Sequence, residues 1–289
     1  MSASATSRAS SGPLGLRWRR QALPGFGLSL GLALTWLSLI VLIPLAALAI
    51  KPWEIGLAGL LDVLSEPRVL AAFRLSFGGA FLAALVSVPL GLLLAWTITR
   101  YRFPGRRLLD ALVDLPFALP TAVAGLALTA LFAPNGWLGE PLARWFGWQV
   151  AFKPAGVVVA LVFVALPFIV RAVEPVLRDL SLDAEEAAAT LGATRLQTIR
   201  RVVLPALLPA VITGFGLGFA RAVGEYGSVI FIAGNLPMVS EIAPLIIVVK
   251  LEQFEYAAAS GIGLAMLLLS FAILFGLNLW QRALRRGRE

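Results

Sequence analysis

Residues 181–205 read SLDAEEAAATLGATRLQTIRRVVLP, a charged and alanine-rich stretch set between two uncharged runs, 154–170 and 202–220. Its local grammar predicts two helices. Asp183, followed three residues later by Glu186, has the spacing of a capping box, and Gly192 suits the left-handed position just past a helix end, giving a helix over 184–191. Thr194 and Gln197 repeat the box and start a second helix that runs toward Leu204-Pro205, where the next apolar run begins. A helix of about eight residues is marginal alone in water, so something must hold it. Two roles fit this alanine-rich rod equally: a narrow element that enters a cleft of a soluble partner and passes force to the adjoining membrane helix, or an amphipathic connector resting on the bilayer surface.

Working outward, uncharged stretches long enough to cross a bilayer as roughly 20 helical residues lie at 21–50, 75–99, 115–139, 154–170, 202–220 and 256–281. Lipid cannot satisfy an unpaired backbone, so these are expected to be helices. The third should stop near Phe132, because Ala133-Pro134-Asn135-Gly136 is a turn signal; the fourth is short. Residues 225–257 hold only short apolar runs broken by Gly234-Asn235-Leu236-Pro237 and are expected to form an external loop with one short re-entrant or interfacial helix. The expected fold class is an all-α membrane protein with six transmembrane helices.

Composition supports this class. Apolar residues are 59% and charged residues 14% of the 289, against about 45–50% and 25% in soluble domains. The absence of Cys and His excludes imidazole and thiol nucleophiles, disulfides and most zinc sites. Lys51, Lys153 and Lys250 do not follow a phosphate-cradling glycine loop, so ATP is not bound by that route. The +8 charge comes from short Arg clusters between apolar runs, which suits membrane topology better than nucleic acid. No enzyme chemistry, metal or cofactor is expected in this chain.

Arg and Lys number 17 in one set of alternate loops and termini and six in the other, so the positive-inside rule puts both termini and the 181–205 loop in the cytoplasm. Arg17, Arg19, Arg20 and Ala47-Leu48-Ala49 resemble parts of a secretory signal, but the 30-residue run favours an uncleaved helix. The expected layout is a cytoplasmic tail at 1–24, its first dozen residues disordered, and a first helix at 25–50. A permease-type region follows at 66–281, enclosing the cytoplasmic loop 177–204, and a basic cytoplasmic tail closes the chain at 282–289. No internal repeat is evident.

The spacing Glu186-Ala187-Ala188, three residues, Gly192, nine residues, then Val202-Val203-Leu204-Pro205 resembles the E-A-A-x3-G-x9-I-x-L-P loop of permease subunits of bacterial ATP-binding-cassette importers, with Val for Ile at 202. Residues 114–125 (DLPFALPTAVAG), 224–237 (GEYGSVIFIAGNLP) and 240–244 (SEIAP) are similar to sulfate/thiosulfate permeases of the CysT type. Molybdate/tungstate permeases share parts of this pattern, but Pro244-Leu-Ile-Ile-Val248 follows their version only in part. The resemblance implies a MetI-like fold in the bacterial inner membrane and an ATPase-coupling loop that includes Asp183, Glu185, Glu186, Ala187, Ala188, Leu191, Gly192, Leu204 and Pro205. It also implies a second permease (CysW type), two copies of an ATPase (CysA type) that uses ATP-Mg, and a periplasmic sulfate/thiosulfate-binding protein, all assembled in membrane lipid.

Within the spans, Pro116, Pro120 and Gly125 supply kinks and close backbone approach, which serve a translocation path or plain helix packing. Asp114, at the span's edge, is expected to be solvated. Arg221 lies deep in the fifth span, where a charge is rare unless it faces a cavity or partner. Glu225, four residues on, is placed to neutralise it, and Arg221 also offers an attractive point for an anion. The rival classes are an ion-gradient-driven carrier, for which repeated halves and, apart from Arg221 and Glu225, midplane ionisable groups are missing, and an intramembrane hydrolase, which the absence of His and Cys and of an evident Ser/Lys pair disfavours.

Overall fold

The computed structural model describes residues 26–286. The expected tail at 1–24 and the end of the basic tail at 282–289 lie outside the described residues. The chain divides into two units, 1–47 and 48–289. In the first, α1 (Phe26–Leu37) passes through a π-helical turn (Ser38–Leu42) into α2 (Ile43–Ile50), whose last three residues belong to the second unit. The turn widens just ahead of Pro44, whose ring crowds the carbonyl of Ile40 in a regular α-helix. The apolar side chains of this helix are exposed, as suits hydrocarbon surroundings.

In the second unit a 3-10 turn (Lys51–Ile55) leads to α3 (Gly56–Ser65), α4 (Pro67–Arg100), α5 (Arg106–Ala118), α6 (Thr121–Phe132), α7 (Gly139–Phe146) and α8 (Pro154–Asp179). Two short helices, α9 (Asp183–Thr190) and α10 (Arg195–Thr198), come next, and a π turn (Ile199–Val203) joins α10 to α11 (Leu204–Val223). The chain ends in α12 (Val229–Ile232), α13 (Ala243–Glu252) and α14 (Tyr256–Arg286). Among the described residues, five helical stretches are long and apolar enough to cross a membrane, and α5 with α6, bent by 115° at the break between them, together meet the same measure as a broken span or a re-entrant loop.

That break corrects one expectation. Pro116 stays inside α5, but Pro120 does not merely kink a continuous third span: Leu119 before it is extended (φ −80°, ψ 136°), and α6 starts afresh at Thr121. The clash of a proline ring with the preceding residue disfavours helical geometry there. The end at Phe132 is as read. The fourth span is not short, since α8 continues through Arg171 and Glu174 to Asp179. Residues 225–257 hold two short helices where one was expected, and Ser228, Val229, Ile232, Ser240, Glu241, Ala243 and Ile246 are buried in the bundle, as a re-entrant segment would be.

Small residues let α4, α8 and α11 pack closely around the centre. A Cβ on Gly91 of α4 would meet Ile169 Cγ2 at 2.6 Å, and one on Gly214 of α11 would meet the Ile169 backbone at 2.9 Å. Where no water drives apolar surfaces together, such close approach supplies the van der Waals contact that holds helices. Ala80, Ala83, Ala84 and Ala95 line the same seam and are fully buried.

Candidate functional site

The loop at the end of α8 folds as its sequence directs, with one exception. Asp183 is not a capping residue: Leu182 occupies that position without a side-chain bond, and Asp183, Glu185 and Glu186 all lie in the first turn of α9. There they favour the helix through its dipole, which welcomes negative charge at the N-terminus. The far end closes as expected, with Gly192 at φ +81°, its N–H on Ala189 O at 3.0 Å and the Ala193 N–H on Ala188 O at 3.0 Å. The second capping box is present: Gln197 N donates to Thr194 Oγ1 at 3.4 Å and Thr194 N to Gln197 Oε1 at 2.8 Å.

From α10 the helix runs without interruption from Arg195 to Val223. The π turn before Leu204-Pro205 relieves the ring of Pro205, which in a regular α-helix would press on the carbonyl of Arg201. Glu186, Ala187, Gly192 and Leu196 are exposed, and Leu191 is 88% exposed, so the rod presents an apolar edge beside a carboxylate. Glu185 turns the other way, with Oε1 2.7 Å from Arg100 Nη2 at the end of α4.

At the opposite end of that long helix, Arg221 and Glu225 form the expected pair, Nη1 to Oε2 at 2.6 Å. Glu225 is 2% exposed and Arg221 39%. The helix stops at Val223, so Glu225 sits beyond its last turn, where its Oε1 also accepts the N–H and hydroxyl of Ser228 at 2.9 and 3.0 Å. This turn nests on the start of α6. A Cβ on Gly125 would lie 2.5 Å from Ser228 O, and one on Gly227 would lie 2.1 Å from Thr121 Oγ1. Gly125, Glu225 and Arg221 are thus one connected group beside Pro120, while Pro116 sits a turn away within α5.

The reading of Asp114 as merely solvated is corrected. Arg171 of α8 donates from Nε to Asp114 Oδ1 at 2.8 Å and from Nη2 to Oδ2 at 2.6 Å, and its Nη1 lies 2.8 Å from Asp110 and 2.6 Å from Glu174. Arg178 holds the other oxygen of buried Glu174. Asp110 and Asp114 lie 61 and 57 residues from Arg171, so their pairing carries no local signal, whereas Glu174 and Arg178 sit at the local i, i+3 and i, i+4 helical spacings.

A bundle of apolar helices, broken once beside a half-buried ion pair and carrying an exposed two-helix loop at one end, is the architecture of a helical membrane transport subunit. The chain belongs to the family of binding-protein-dependent transport system inner membrane components, whose model matches residues 87–289. It is therefore a multi-pass inner-membrane subunit of an ATP-binding-cassette importer; such a subunit works with an ATPase and a substrate-binding protein, and ATP hydrolysis belongs to the ATPase. Over 270 residues the chain is 50% identical to the sulfate transport system permease protein CysT of Salmonella typhimurium, covering 93% of this chain and 96% of the relative. It is 49% identical to the corresponding protein of Escherichia coli at the same coverage. Among solved structures, a bacterial alginate ABC transporter bound to its periplasmic protein matches with a TM-score of 0.75 at 16% identity, covering 89% of this chain and 94% of that one. The MetNI methionine transporter matches at 0.53 and 21%, covering 74% and 93%. These two likenesses bear on the fold.

Proposed function

We propose that this chain forms half of the membrane pathway of an ATP-driven importer for sulfate and thiosulfate. The observation that carries the reading is the 50% identity to CysT across 93% of the chain. The companions we propose are a second permease of the CysW type, a dimer of CysA-type ATPase subunits that uses ATP-Mg, and a periplasmic sulfate/thiosulfate-binding protein. This chain itself carries no cofactor. The loop end of the bundle faces the cytoplasm, as the distribution of Arg and Lys favours.

In this reading the exposed edge of α9, with Glu186 and Ala187 and with Ala188 half-buried beside them, and the turn after it, with Leu191 and Gly192, seat in a groove of the ATPase. The uninterrupted helix of 29 residues from Arg195 to Val223 spans about 40 Å at 1.5 Å per residue. A push on the loop therefore travels through Leu204 and Pro205 to the Arg221–Glu225 group at the far end. There, beside the break between α5 and α6, Pro116 and Pro120 line the pathway, Gly125 seats the Ser228 turn next to it, and Arg221 offers a dianion a weak attraction. A deep well would trap the ion, so the contacts along the path are few and polar. Selectivity accordingly rests with the binding protein.

Reconstitution of the full complex in liposomes tests the proposal. ATP-dependent uptake of labelled sulfate, competed by thiosulfate and not by molybdate, is the expected result. Uptake by this chain alone under a proton or sodium gradient overturns the ATP-driven reading, and competition by molybdate in preference to thiosulfate overturns the cargo.

A further inference from the structure

α9 has a single polar tie to the bundle. Among the described residues Glu185 is the one side chain of this helix that bonds to another helix; Thr190, by contrast, bonds within α9 to Ala187 O. The tie is well held. Arg100 gives Nη2 to Glu185 at 2.7 Å and to Leu180 O at 3.4 Å, and its guanidinium lies 5.6 Å from the centre of the Trp96 ring. Both charged side chains are largely withdrawn from solvent, 16% and 23% exposed. Charge-assisted bonds in such surroundings are stronger than surface pairs. Packing beneath the rod is loose, because a cavity of about 380 Å³ opens between α9 and the end of α4, bounded by Trp96, Tyr101, Ala189 and Thr198. Glu185 itself lines this cavity, and its Oε1 meets Arg100.

We infer that Glu185 and Arg100 are positioning residues that pass motion of the coupling rod directly into α4, in parallel with the covalent route into α11. Arg100 is the last residue of α4, and α4 is packed along its length against α8 and α11. The rod is joined covalently to α8 through residues 180–182 and to α10 through residues 191–194; the ion pair adds a third joint, to α4, which has no covalent link to the rod, so that movement of the rod carries α4 as well. Glu185 thus differs in role from its neighbour Glu186, which points outward and is free to meet the ATPase. The inference rests on the ATP-driven reading proposed above.

The test uses the reconstituted importer and reads sulfate moved per ATP hydrolysed. Glu185→Gln and Arg100→Gln should each lower this ratio about five-fold, the lower end of typical coupling effects, while the complex still assembles. The exchanged pair, Glu185→Arg with Arg100→Glu, should recover most of it. A ratio unchanged by Arg100→Gln, or no recovery in an assembled exchanged pair, overturns the inference, since a Glu185 that served the ATPase groove would not answer to Arg100. Should the single variants fail to assemble, the absence of native Cys in this chain allows a second route: Glu185→Cys and Arg100→Cys joined by a short bis-thiosulfonate linker, with Cys-free partners. Retained import shows that the two ends move together, and blocked import shows that they separate during the cycle and sinks the idea. Wild-type vesicles that hydrolyse ATP without importing sulfate overturn the cargo alone, and the ratio is then read with molybdate.

Discussion

Arg171 of α8 grips Asp114 of α5 with both ends of its guanidinium, Nε to Oδ1 at 2.8 Å and Nη2 to Oδ2 at 2.6 Å. It also meets Asp110 and Glu174, so the first half of the broken span is pinned to the centre of the bundle. Glu174 is buried, which makes Arg171 the costliest member to lose: its removal strips one of two cations from a buried carboxylate. Arg171→Gln should destabilise the purified protein by about 2–4 kcal/mol, whereas Asp114→Asn, on a half-exposed side chain, should cost about 1 kcal/mol or less. Thermal unfolding in one detergent gives the order, and a larger loss from Asp114→Asn contradicts the account.

The two glycines at the seat of α6 should respond differently to the same added methyl group. At Gly227 the obstacle is a side chain, Thr121 Oγ1 at 2.1 Å, and at Gly125 it is backbone, Ser228 O at 2.5 Å. Overpacking of this kind costs about 1–3 kcal/mol. Thr121→Ala should therefore restore much of the stability lost in Gly227→Ala, while Ser228→Ala should restore none of that lost in Gly125→Ala. Equal rescue at both sites, measured as a double-mutant cycle, argues against the close approach described.

These contacts also mark where reading the chain alone stopped. The limits of the apolar runs and the turn at Gly192 are local properties, and α9, α10 and the end of α6 follow them. At Pro120 the sequence allows a kink or a break, and what seats the restarted helix is distant: Ser228, packed on Gly125, lies about a hundred residues away. Arg100 and Arg171 count as topology charges in sequence; their bonds to Glu185 and Asp114, 85 and 57 residues distant, exist only once the helices are assembled. Likewise Asp183 has the spacing of a cap, yet Leu182 takes the position because the helix starts one residue earlier.

Gly192 separates two reasons for having no side chain. Its φ of +81° penalises residues with a Cβ by about 1 kcal/mol, with Asn tolerated better than Ala, and nothing in this chain lies within 4 Å of an added Cβ. If backbone conformation is the requirement, ATP-driven import falls in the order Gly192, Gly192→Asn, Gly192→Ala. A requirement for close approach of the ATPase reverses the last two, because Asn is the larger. Uptake rates of the two variants at equal membrane abundance decide between them.

Arg221 needs a test that separates its structural pairing from any pull on the anion. Arg221→Ala should lower sulfate uptake while assembly persists, but it also leaves Glu225 buried and charged, held only by the two donors of Ser228. Arg221 is 39% exposed, so losing it costs less than the about 3–5 kcal/mol of a fully buried pair, but enough that reduced uptake by that variant alone does not identify the cause. The neutral pair Arg221→Met with Glu225→Gln removes both charges: Gln keeps an oxygen for Ser228, and Met fills much of the space of the Arg stem. Stability should then return toward the parent value. Uptake that stays low in this stable protein, at equal abundance and with ATP hydrolysis still responsive to the binding protein, means that the cation itself acts on the passing dianion. Uptake that returns with stability means that Arg221 serves only to neutralise Glu225, and the proposed attraction along the pathway is wrong.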